Sequence, residues 1–205
     1  MTLALQSDQP TNRPAPMSSP PRSAKVVIAG GFGVGKTTFV ASVSEIPPLT
    51  TEAAMTEVSA EVDDRSLVST KTTTTVAMDF GRITVNQGIV LYLFGTPGQS
   101  RFGFMWDDLV IGALGSLVLV DHRRLDDCYP AIDYFEGRSI PFVVAVNRFA
   151  GSDEPSGGEL REAMAIPDHV PIVFCDARDR ESAKQTLLLV LRTSRQSLLR
   201  RRLGR

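Results

Sequence analysis

The sequence predicts a three-layer α/β fold: a mostly parallel six-stranded sheet with one antiparallel edge hairpin, covered by helices. Three observations carry this. From residue 116 onward, apolar runs of strand length alternate with helical stretches. Two earlier runs are joined by the short turn segment Val85-Asn86-Gln87-Gly88. A glycine-rich segment also sits between the first apolar run and the first helix.

Composition sets the frame. The 205 residues, 42% hydrophobic and 22% charged, suit one domain with a sizeable core. A net charge of −1 gives no general attraction to nucleic acid or to acidic membranes. Cys128 and Cys175 lie far apart without C-x-x-C spacing, which argues against a zinc site or a disulfide framework. No apolar run reaches the roughly 18 residues of a membrane span. The N-terminus lacks a secretory pattern, so a reducing cytoplasm is the expected setting.

Along the chain, residues 1–22 carry five prolines among polar residues and are expected to form a disordered tail. Lys25-Val26-Val27-Ile28-Ala29 reads as the first buried strand, and a helix begins near Thr38 and stops at Ile46-Pro47-Pro48. Residues 49–73 are polar and read as a functional or mobile loop. The hairpin follows, an alternating edge strand at 75–83 and a continuously apolar strand at 89–94. Further strands are expected at 116–120, 141–146 and 172–174, with helices at 125–137, 158–165 and from Arg180 onward. The domain is expected over residues 23–199, with 200–205 a basic tail.

The chemistry-bearing stretch is Gly30-Gly31-Phe32-Gly33-Val34-Gly35-Lys36-Thr37, a full match to G-x-x-x-x-G-K-[ST] in the strand–loop–helix context the motif requires. Its backbone N–H groups, with the helix N-terminus, suit a polyphosphate. Lys36 is placed to reach the terminal phosphates and the Thr37 hydroxyl to hold Mg²⁺. Ligands of such sheets sit beyond the C-terminal strand ends. Those ends deliver Gly95-Thr96-Pro97-Gly98-Gln99, Asn147-Arg148-Phe149-Ala150 and Cys175-Asp176-Ala177-Arg178, while Thr72 to Thr75 close the polar loop.

Together these segments resemble the signature set of Ras-like small GTPases over roughly residues 24–195. More narrowly, T-T-T-T-V-A-M-D-F-G, F-G-T-P-G-Q-x-R-F, V-L-V-D-x-R-R-L and V-A-V-N-R-F look like the conservon GTPases of filamentous bacteria. The resemblance implies a Ras-like G domain of the P-loop NTPase class, monomeric, binding GTP or GDP with Mg²⁺ and resetting by slow hydrolysis. It implies that Gly30 to Thr38 form the phosphate loop. Thr75, or alternatively Thr74, is the first-switch threonine on the metal. Gly98 meets the γ-phosphate and Gln99 orients the attacking water, with Lys36 beside them. Asn147 reads the guanine edge, Arg148 stands for the usual lysine along the base, and Asp176, Ala177 and Arg178 form the last base-side loop, Ala177 giving a backbone donor to the guanine carbonyl.

Two positions depart from the pattern. The D-x-x-G aspartate is Gly95, which removes a metal partner, and the N-K-x-D aspartate is Ala150, which removes the acceptor for the guanine N1–H and amino group. Asp153 is the nearest substitute. The rival readings are a nucleotide-holding scaffold without turnover and a protein with relaxed ATP/GTP specificity. Arg101 and Lys71 are the candidate cations for the γ-phosphate, otherwise left to a partner. Phe102, Phe104, Met105 and Trp106 form a candidate effector surface, and the resemblance points to a roadblock-type light-chain protein as its partner. Arginines from Arg192 to Arg205 suit a membrane surface or an acidic partner. Ser182-Ala183-Lys184 mimics a guanine-loop motif but falls inside the last helix.

Overall fold

A computed structural model describes residues 21–47, 49–54, 75–86, 88–98, 100–151 and 155–203. The strands are β1 (Arg22–Ala29), β2 (Leu49–Ala54), β3 (Thr75–Asn86), β4 (Ile89–Gly95), β5 (Ala113–Val120), β6 (Phe142–Asn147) and β7 (Ile172–Cys175). The helices are α1 (Lys36–Val43), α2 (Trp106–Val110), α3 (Tyr129–Gly137), α4 (Gly157–Ala163) and α5 (Arg180–Leu203). Short 3₁₀ turns precede α2 and α3, over Ser100–Met105 and Leu125–Asp127.

The strands form one sheet in the order β2-β3-β4-β1-β5-β6-β7. The six expected strands are present, joined by a seventh. β2 lies within the stretch read as a polar loop and pairs antiparallel with β3, so the first hairpin strand is internal rather than at the edge. Its Leu-Thr-Thr start follows Pro47-Pro48, which bias the chain toward extended backbone, and threonine suits a strand. Residues 55–74, Gln99, Asp153 and the tail of residues 1–20 lie outside the described residues.

β1 is central, parallel to β4 on one side and β5 on the other. From it the chain builds outward in opposite directions, which places a topological switch point at the C-terminal end of β1. The sheet is buried on both faces. Val26, Ile28, Leu91, Leu93, Leu117 and Leu119 pack with α1 and α5; Val27, Ala29, Val118, Val120, Val144 and Val146 pack with α2, α3 and α4. This double burial explains why β1, β5 and β6 read as continuous apolar runs.

Local signals set the helix ends. Pro130 occupies the first turn of α3, and Ser156 with Glu159 forms a capping box at α4. α5 runs through Arg200, Arg201 and Arg202, so these form its last turn, where they complement the helix dipole. Trp106 turns inward: it is 7% exposed and packs against Tyr134 and Phe135. It therefore leaves the expected effector surface, where Phe104 remains exposed. Among the described residues, no helix is long and apolar enough to cross a membrane.

Candidate nucleotide site

The glycine loop leaves β1 at Gly30 and enters α1 at Gly35. Gly35 has φ 106° and is the N-cap of α1, and a Cβ there would stand 2.8 Å from Asn147 Nδ2. Only glycine meets both demands. Gly31 is buried, Gly33 has φ 72°, Val34 is buried against the core, and Phe32 points outward at 68% exposure. Lys36 is buried, and its ammonium donates to the carbonyls of Gly30 at 2.8 Å and Gly31 at 2.7 Å. Burial pushes the Lys36 ammonium down to about 8, against the opposing pull of Asp79 and Asp127. Thr38 is exposed on the first turn of α1.

The segment after β4 returns to this loop. Thr96 N–H donates to Ile28 O at 2.8 Å, and a Cβ at Gly98 would lie 2.8 Å from Lys36 Nζ and 2.9 Å from Phe32 Cα. Gly98 is therefore seated on the phosphate loop, where any side chain would displace the lysine.

A residue that sequence reasoning missed completes this end. Thr37 Oγ1 donates to Asp79 Oδ2 at 2.8 Å. Asp79 is 6% exposed and stands on β3 opposite Gly95 of β4, which in turn pairs with Ile28 of β1. The three residues form one row across the sheet. A Cβ at Gly95 would lie 3.0 Å from Asp79 Cβ and from Oδ2. The glycine at the D-x-x-G position thus clears the path by which a carboxylate from the next strand reaches Thr37. The absence of an acid at 95 does not remove the carboxylate from the site; it moves it one strand over. The available signal was Asp79 itself, an acid inside the stretch Val76-Ala77-Met78-Asp79-Phe80.

Thr75 shares a strand with Asp79. It begins β3 opposite Ala54, four residues from Asp79, about 13 Å away along an extended strand. Among the described residues, the carboxylate that meets the Thr37 hydroxyl is that of Asp79.

The end of β5 adds a charged cluster, to which the sequence motif V-L-V-D-x-R-R-L assigned no role. Asp121 is buried and accepts from Arg123 Nε at 2.8 Å and Nη2 at 2.7 Å, which with Arg124 holds its carboxyl below the usual range. Arg124 Nη2 donates to Phe32 O at 3.0 Å. A Cβ at Gly31 would stand 2.5 Å from Asp127 Cβ, so Asp127 covers the loop from above. An acid and two arginines directly after a buried strand were the sequence signal.

At the other end, Asn147 is 5% exposed, donates Nδ2–H to Val34 O at 2.9 Å and accepts Ala177 N–H on Oδ1 at 3.0 Å. It ties the phosphate loop to the loop after β7. The Ala177 N–H expected to face a base carbonyl is thus engaged by Asn147. Asp176 and Arg178 pair with each other, Nε–Oδ1 and Nη2–Oδ2 both 2.9 Å, and this pairing holds the Asp176 carboxyl below its usual range. The Asp176 N–H is capped by Ser182 Oγ at 3.0 Å, so the Ser182-Ala183-Lys184 segment serves the loop from within α5. Arg148 is exposed, its guanidinium 5.8 Å from the Phe174 ring. Ala150 is exposed and offers no side-chain acceptor.

A profile of the protein family described as conserved hypothetical ATP binding protein matches residues 28–197. The chain belongs to this family. It is 29% identical over 126 residues to an uncharacterized protein of Methanocaldococcus jannaschii, a match covering 60% of this chain and 69% of that one. Among solved structures it is similar to the G domain of the T. maritima FeoB iron transporter, with TM-score 0.56 and 17% identity, covering 82% of this chain and 99% of that one. The FeoB G domain from Methanococcus jannaschii gives TM-score 0.56 at 14% identity over 83% and 99% of the chains. The cytosolic domain of T. maritima FeoB in a GDP form gives 0.59 at 15% identity, covering 86% of this chain and 65% of that one. These likenesses show a G-domain fold within the P-loop class.

Proposed function

We propose that the chain is a Mg²⁺-dependent GTP-binding switch with slow hydrolysis of GTP to GDP, accelerated by a protein partner. The observation that carries it is the contact of Thr37 Oγ1 with Asp79 Oδ2, beside a buried Lys36 on a complete phosphate loop. A hydroxyl and one carboxylate, completed by substrate phosphates and water, is the hard-oxygen donor set that Mg²⁺ takes at nucleotide sites. Thr37 and Asp79 would hold the ion, which when bound supplies charge neutralisation across the terminal phosphates. Lys36 would bind the same phosphates, Gly98 would sense the last one, and Gln99 would orient water. Asn147 would position the base-side loop, with Arg148 along the base. The conservon kinship and a roadblock-type partner belong to this proposal, as does a contact of the Arg200–Arg202 turn with an acidic surface.

A second reading, relaxed ATP/GTP specificity, is favoured by Ala150, which leaves guanine without its charged acceptor. Titration of the whole chain with GDP, GTP, ADP and ATP, with Mg²⁺ and with chelator, separates the two. The switch predicts Mg²⁺-strengthened guanine binding that Lys36→Ala abolishes. Equal affinity for both bases supports the second reading. Binding indifferent to Lys36 and to Mg²⁺ overturns both.

A further inference from the structure

We propose that Arg124 is the chain's own phosphate-facing arginine, a catalytic residue that meets the charge of the phosphoryl group as it transfers. This rests on the hydrolytic reading above. In that reaction a water oxygen bonds to the γ-phosphorus while the bond from γ-phosphorus to the β–γ bridging oxygen breaks. The diphosphate leaves with that oxygen, and the water proton ends on inorganic phosphate. Charge spreads over the γ-oxygens on the way, and a guanidinium beside them lowers the barrier.

Arg123 and Arg124 are adjacent in sequence but committed differently. Arg123 is spent on Asp121 through a two-point pair and stacks over the Phe149 ring at 4.0 Å. Arg124 turns to the phosphate loop. Its Nη2 is 3.0 Å from Phe32 O and would lie 3.8 Å from a Cβ on Gly33, both in the middle of the loop. Its carboxylate neighbours stand farther off than hydrogen bonds, Asp121 at 3.6 Å and Asp127 at 3.5 Å. The two acids therefore aim the guanidinium without using up its five donors. Half of the side chain is exposed, on the open side of the loop where Phe32 also stands out. Backbone turning fixes the approach, because Arg124 N–H donates to Asp121 O at 2.9 Å directly after β5. The side chains of Lys71 and Arg101, the cations the sequence suggested for this role, lie outside the described residues.

The rival is a structural pin that merely fastens the loop, and the test separates the two. Single-turnover hydrolysis of GTP and ATP, GDP affinity and formation of the GDP–aluminium fluoride complex are measured for the full chain and for Arg124→Ala and Arg124→Gln. The glutamine keeps a polar N–H donor, on a shorter stem, without the charge. For both variants the expected result is hydrolysis slowed about 100-fold or more, loss of the aluminium fluoride complex, and GDP affinity and thermal midpoint close to the parent's. Unchanged hydrolysis overturns the proposal, and so does a parallel fall of GDP affinity, melting temperature and hydrolysis. If the parent binds nucleotide without turnover, the aluminium fluoride arm decides: a complex indifferent to Arg124, or none in the parent, overturns it. A parent that binds no nucleotide is a separate outcome that sinks the hydrolytic reading itself.

Discussion

At the phosphate end of the site, a buried carboxylate crosses a glycine to reach Thr37, and a lysine and an arginine both lean on the loop carbonyls. At the base end, Asn147, Ala177, Asp176 and Arg178 satisfy one another, and position 150 offers no acid. At the phosphate end β1 and β4 finish beside a row that β3 passes through at Asp79, so side chains from adjacent strands can arrive at one point. The base end is built from loops rather than from a strand row. Position 150 lies on the loop after β6, and its nearest acid in sequence, Asp153, lies outside the described residues.

Asn147 is the residue that touches both ends, and removing it is expected to have the largest effect. Asn147→Ala leaves Val34 O and the Ala177 N–H unpaired in a buried place, costing about 1–3 kcal/mol for each. Denaturant unfolding should show the loss, with nucleotide affinity falling alongside; an unchanged midpoint would mean the two ends are independently held. The next effect sharpens the idea of a relocated acid. Asp79→Ala is expected to weaken Mg²⁺-dependent nucleotide binding about 10- to 100-fold while binding in chelator changes little. Moving the acid back, with Asp79→Gly and Gly95→Asp together, should recover much of it. Failure of the double variant would show that strand position, not the presence of a carboxylate, is what counts. The smallest effect is at the base end. Ala150→Asp should raise the preference for GDP over ADP about tenfold, the size of one good charged hydrogen bond. No change in that ratio would place base recognition elsewhere.

Much of this was legible in the chain. The phosphate loop is local in sequence, and its conformation follows from glycines between a buried strand and a helix, so Gly30 to Thr37 could be placed without a fold. Strands buried on both faces announced themselves as unbroken apolar runs, and Asn147 was found as the polar end of one of them. β2 was missed because a short threonine-rich segment has no apolar period of its own; it becomes a strand through pairing with β3. For Trp106 the sequence left packing on the sheet and an effector surface equally open, because a five-residue helix does not reveal which side faces the sheet.

The sequence by itself determined the class of fold, six of its seven strands in order and the phosphate-loop motif, since each depends on neighbours within a few residues. Only the tertiary structure decided that Asp79 faces Thr37, and that Arg124, rather than Arg123, faces the loop. Those choices depend on the register between β3 and β4 and on the turn after β5. Register is fixed by which strand faces pack into the core, a property of the assembled sheet that no single segment carries.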